Sequence, residues 1–173
     1  MGNVFSELKR AEVDRIQLHI EDNSQIMDRI VLDITKPYVE DLDKYVKFIK
    51  DCLQDGNNPP TDVELEDFCM NLSTYIYFAG GMCEQLGIRD DIARAVYQET
   101  YNNARDDQDK GTVQDKNSIA ELKSQQEKLT SICYNRAYKM VKSKVDNAQE
   151  LLASCKKVLS RRMQEVELTK MIR

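Results

Sequence analysis

The chain has 173 residues, of which 41% are hydrophobic and 32% charged, with a net charge of −5. That length buries a normal core, and that hydrophobic share excludes an intrinsically disordered chain. No apolar run approaches the ~20 residues of a membrane span, and only 6 Gly and 3 Pro leave few breaks, which favours helices.

The charge is unevenly spread. Residues 1–111 carry 12 Lys and Arg against 23 Asp and Glu, a net of −11, while residues 112–173 carry 13 against 7, a net of +6. The expected organisation is an acidic helical bundle region at 1–110 and a long basic C-terminal helix at 111–173. Such a split prepares the basic part for an anionic partner or for its own acidic half.

The cysteines are Cys52, Cys69, Cys83, Cys133 and Cys155, an odd number without a CxxC pair. With His19 as the lone histidine they do not make a zinc site, and they read as reduced thiols of a cytoplasmic protein. The N-terminal MGNVFS matches the myristoylation pattern M-G-x-x-x-[ST]. Glu7 and Glu12 supply no basic second signal for a membrane, and the alternative is an ordinary helix start.

In chain order, Val4, Leu8, Val13, Ile16 and Ile20 predict a first helix over about 3–22. Ser24 is a candidate cap for a second helix at 25–34, and Thr35 with Pro37 predicts a kink or a fresh start. Val39, Leu42, Val46, Ile49 and Leu53 are spaced 3, 4, 3 and 4, a heptad seam. DGNNPP at 55–60 is a loop. Thr61 with Glu64 forms a capping box for a helix whose stripe runs Leu65, Phe68/Cys69, Leu72, Tyr75/Ile76, Ala79, Met82/Cys83 and Leu86. Gly80 and Gly81 inside it suggest close approach by a neighbouring helix or a local kink, and Gly87 suggests a C-cap. Another helix is expected over 89–105 with Ile92, Ala95 and Val96 inward, then an acidic loop at 104–112.

The segment from 113 to 168 has no Gly and no Pro. Ile119, Leu122, Leu129, Cys133 and Ala137 begin its stripe. Val141, Val145, Ala148, Leu152, Cys155, Leu159 and Val166 continue it as an oligomer or packing stripe, possible in a coiled coil. An unbroken helix of that length, ~80 Å at 1.5 Å per residue, exceeds a small bundle, so it either breaks or packs on another subunit. At about 100° per residue, Arg136, Lys139, Lys142, Lys157 and Arg161 face away from the stripe. Asp146 and Glu150 divide this basic face into two patches. Tyr134 and Tyr138 flank Arg136, and Tyr97 and Tyr101 repeat that spacing. Tyr beside Arg and Lys suits stacking of bases in single-stranded nucleic acid; the same pairs also suit a helix interface.

The sequence gives no handle for catalysis. There is no GxGxxG, P-loop or HExxH, and no ExxE of the kind that holds magnesium in helical pyrophosphohydrolases. The acids Asp62, Glu64, Glu66 and Asp67 crowd a helix N-terminus, where the dipole favours them. The expectation is an all-α, non-enzymatic protein without cofactor, metal or small-molecule substrate.

The stretches 134-YNRAYKMVKSK-144 and 156-KKVLSRRM-163 resemble the C-terminal part of phage recombination mediators of the UvsY type. The likeness covers about 113–168 and is one of pattern. It implies a homo-oligomer that binds single-stranded DNA and helps to load a recombinase; the expected place is the cytoplasm, that of the host if viral, with a virion as the other location. The DNA contacts would fall to Arg136, Lys139, Lys142, Lys144, Lys156, Lys157, Arg161 and Arg162, with Tyr134 and Tyr138 beside them. This chain departs from the family in its net negative charge and its larger, acidic N-terminal half. The alternative is a structural or assembly protein whose basic helix pairs with acidic surface of the same or another subunit.

Overall fold

The computed structural model describes the backbone at residues 2–56, 58–108 and 111–171, and side chains at 21, 24–56, 58–108 and 111–171. MGNVFS and His19 carry no described side chains, so those two expectations lie outside them. The fold is an all-α bundle with a long C-terminal helix. In order it has α1 (Gly2–Gln54), α2 (Asp62–Asp106), α3 (Val113–Lys123) and α4 (Gln125–Met171). Among the described residues there is no strand. The 47 residues of α4 span about 70 Å.

Three expected helix boundaries are absent, at Ser24, Pro37 and Gly87, and burial on both sides accounts for the last two. α1 runs through Ser24, Thr35 and Pro37 without interruption. A proline inside a helix costs about 3 kcal/mol. Here Val31 and Thr35 before it and Val39 and Leu42 after it are all buried on one face. Packing on both sides carries the helix through the proline, so no fresh helix starts there, and the Thr35 hydroxyl donates to the Leu32 carbonyl at 3.2 Å. α2 likewise runs through Gly87, which is not a C-cap. Leu86 and Asp90 flank it and are buried. A Cβ at Gly87 would meet Cε2 of Tyr138 at 3.3 Å, so this glycine admits an aromatic ring of α4. The close approach expected at Gly80 and Gly81 is absent within the chain, where a Cβ at either position meets open space.

The C-terminal segment does break, at Ser124. This residue is fully buried, and both its backbone N–H and its hydroxyl donate to the Ala120 carbonyl, at 3.0 and 2.7 Å. Ser73, Ser118 and Ser154 make the same hydroxyl-to-carbonyl bond inside unbroken helices, so that bond alone does not account for the break. α3 starts at its own capping box, Thr112 with Asp115, and packs on α2. Leu122 and Leu129, expected in the stripe, are exposed, while Ala120 is buried in their place.

The core forms two clusters along the bundle, and both draw on α1, α2 and α4. One joins Leu42 and Ile49 of α1 to Leu65, Phe68 and Leu72 of α2 and to Val145, Ala148 and Cys155 of α4. The other joins Val31 and Val39 to Cys83 and Leu86 and to Ala137 and Val141. The stripe Val141, Val145, Ala148, Leu152, Cys155 and Leu159 is thus packing within the chain, with Leu152 and Leu159 at its margin and Val166 exposed. Leu53, the last position of the α1 seam, is also exposed. Small residues at Ala79, Ala137 and Ala148 let the long helices lie close.

Leu72→Ala should lower the unfolding free energy by about 2–5 kcal/mol in urea titration, because a fully buried leucine leaves a cavity between three helices. The cysteines give a second check. Cys69, Cys83, Cys133 and Cys155 are buried, and burial pushes their thiols above the usual range. Cys52 alone is half-exposed. A disulfide reagent such as dithionitrobenzoate should therefore consume Cys52 first and the other four only as the chain unfolds. Fast reaction of all five in the native state would mean that the α2–α4 interface opens readily.

Candidate nucleic-acid interface

A cleft of about 1420 Å³ lies where α1, α2 and α4 meet. Met27, Asp28 and Val31 of α1 form one wall, Arg94, Tyr97 and Gln98 of α2 another, and Asn135, Arg136, Lys139 and Met140 of α4 the third. Among the described residues, three cations thus face one lining acid, Asp28. The apolar part comes from Met27, Val31, Ile132 and Met140. An anion with an apolar or aromatic body matches such walls.

The position of Arg94 is set from below. Asp90 is 2% exposed, and its Oδ2 accepts from Nη2 of Arg94 at 2.5 Å and from Nδ2 of Asn135 at 2.9 Å. Its Oδ1 is buried without a hydrogen-bond partner. A buried carboxylate is costly unless paired, so Arg94 and Asn135 are both held to it. Arg94 itself stays half-exposed at the cleft wall. One carboxylate therefore fixes groups on α2 and α4 that both line the cleft.

The eight predicted phosphate contacts do not converge on one surface. Arg136 and Lys139 line the cleft, and Lys142 is exposed one turn further along α4. Lys156 and Lys157 are exposed on the distal half. Among the described residues none of these five has a carboxylate within 4 Å. Lys144 is paired with Asp43 of α1. Arg162 donates to the Pro60 carbonyl at 2.7 Å and to Asp62 at 3.1 Å, tying α4 to the start of α2. Arg161 pairs with Glu165 of its own helix at 3.1 Å.

The tyrosines also separate. Tyr138 is half-buried against Gly87 and the second core cluster, and Tyr134 packs on the same cluster. Tyr134 also lines a smaller groove of about 380 Å³ with Arg89, Ile92, Val96 and Glu127. Tyr97 is the aromatic that reaches the cleft, with the ring of Tyr101 at 6.3 Å between centroids. Arg94, Asn135 and Asp90 were not visible as site residues in the sequence. The i,i+4 spacing of Asp90 and Arg94 is the one local signal; Asn135 lies 45 residues away.

Among the described residues no group of three or more His, Cys, Asp or Glu side chains is placed to hold a metal ion, and no helix is long and apolar enough to cross a membrane. No family model matches the chain, and searches of curated proteins and of solved structures find no match.

Asp90→Ala should cost about 1–3 kcal/mol of stability, since it strands hydrogen-bonding groups that it now satisfies. Combined with Asn135→Ala it should show a coupling of about 0.5–3 kcal/mol in urea titration. Additive losses would mean that the two side chains do not share a bond in solution.

Proposed function

We propose that the protein is a non-catalytic accessory factor that binds single-stranded nucleic acid in the cleft between α1, α2 and α4. The observation that supports this best is the set of Arg94, Arg136 and Lys139 around one cleft, with Tyr97 beside them. Guanidinium and ammonium groups neutralise phosphates, and an aromatic ring stacks a base. In this reading Lys142 extends the cleft along α4. Lys144 and Arg162 have structural roles instead, because they are less exposed and tie α4 to Asp43 and Asp62, whereas Arg94, although paired with Asp90, stays half-exposed at the cleft wall. The resemblance to UvsY-type mediators adds a recombinase-type partner, a homo-oligomer and a place in the cytoplasm, that of the host if the protein is viral.

A second reading has its own support. Lys144–Asp43 and Arg162–Asp62 join the basic helix to the acidic half of the same chain. A structural or assembly protein, a virion or scaffold component among them, would use its charge asymmetry in this way.

Fluorescence anisotropy with labelled oligo-dT separates the two readings. Binding should be micromolar or tighter at low salt and fall steeply as salt rises. Arg94→Ala, Arg136→Ala and Lys139→Ala should each weaken binding and lower the salt slope by about 1 if each contacts one phosphate. Lys144→Ala should instead lower stability while leaving affinity intact. Absence of binding at low salt would reject the nucleic-acid reading and leave the assembly reading.

A further inference from the structure

α2 is apolar on two opposite sides. Its core side carries Leu65, Leu72, Ala79 and Leu86, all buried. At about 100° per residue, Met70, Tyr77, Gly81, Ile88 and Ile92 fall within about 40° of one line on the far side. Met70 is 72% exposed, Tyr77 77%, Ile88 60% and Ile92 57%. Phe78 and Val96 flank the line and are exposed as well, and the rings of Tyr77 and Phe78 meet edge to face with centroids 5.6 Å apart. Between Asp67 and Asp91 the one charge near this line is Glu84. A helix with apolar residues on opposite sides is suited to being covered on both.

We propose that this outer face of α2 binds the same face of a second copy of the chain, antiparallel and centred on Gly81. Three observations select this occupant. The first is the register. A two-fold axis at Gly81 puts Met70 level with Ile92 of the other copy and Thr74 level with Ile88. It also puts Glu84 level with Phe78 and Glu66 level with Val96, so no like charges meet. The second is the space at Gly80 and Gly81, where nothing in the chain lies within 4 Å of a Cβ position. A glycine at the crossing lets two helix backbones come closer than larger residues do. The third is area. At roughly 150–220 Å² for a full side chain, the six exposed residues offer roughly 700 Å² per chain, near the ~800 Å² per partner of a standard interface.

This surface is on the far side of α2 from the core, and the inference does not depend on nucleic-acid binding. The variants of the two surfaces differ, and so do the readouts. Sedimentation velocity of the full chain over a concentration series should show a two-chain species. Tyr77→Glu and Gly81→Glu should shift it to single chains, at least tenfold weaker in self-association, with helicity by circular dichroism unchanged. A native chain that stays single at every concentration overturns the proposal and leaves the face for a different protein. Undiminished two-chain species in both variants overturns it too. Should either variant lose helicity, Gly81→Cys decides. A disulfide-linked two-chain band that the native chain does not form under the same mild oxidation supports the proposal, and no such band overturns it.

Discussion

The packing of α2 against α4 is the contact on which the bundle depends. Among the described residues it is the most extensive interface, and it runs from Leu65 and Cys155 at one end to Leu86 and Ala137 further along. α1 adds Leu42, Ile49, Val31 and Val39 to the same two clusters. Alanines and a glycine set the spacing. Where a glycine faces a partner, at Gly87, a tyrosine ring fills the space; where it does not, at Gly80 and Gly81, the surface is open. Burial at ~25 cal/mol per Å² supplies the driving force, and continuous burial on both sides carries α1 past Pro37 and α2 past Gly87.

Electrostatics divides the basic helix by neighbour. Where α4 runs beside acids of α1 and α2, Lys144 and Arg162 are tied down, and these partly exposed pairs contribute about 0–1 kcal/mol each. Arg136 and Lys139 face the cleft instead. Asp90 is the exception to the rule that charges stay outside. Its burial is offset by Arg94 and Asn135, and it couples α2 to α4 by direction as well as by contact. Among the described residues the basic helix meets the acidic half at Lys144–Asp43 and Arg162–Asp62, and Arg136, Lys139, Lys142, Lys156 and Lys157 are exposed.

Much of the fold was legible because heptad spacing is a direct consequence of helix geometry. The stripes Val39, Leu42, Ile49 and Leu65, Leu72, Ala79, Leu86 became core as their periodicity requires. The breaks were harder. Pro and Gly report local cost, and here tertiary packing outweighed it, whereas the break at Ser124 falls where the sequence carries neither residue. The phase of α2 beyond Gly87 was misread for a specific reason. The buried position after Leu86 is Asp90, a charge, so Ile92 and Val96 looked like the continuing stripe while Asp90 and Ala93 are the buried ones. Of the candidate site, Arg136 and Lys139 could be found from the charge pattern. Arg94 left one local signal, its i,i+4 spacing from Asp90, and Asn135 left none, because a bond between residues 90 and 135 leaves no spacing in the sequence.

The sharing of both core clusters by α4 has a consequence for how the chain is made. The contacts that close the bundle span long separations, 105 residues for Thr35 with Met140 and 100 for Arg162 with Asp62. While α1 and α2 leave the ribosome, neither cluster can be completed, and their apolar stripes have each other but not α4. The nascent hairpin carries uncovered Leu and Val until α4 has been made, the state in which chains bind chaperones or aggregate. Completion of both clusters therefore waits for α4, and a ribosome stalled before residue 137 releases a chain that lacks one wall of both.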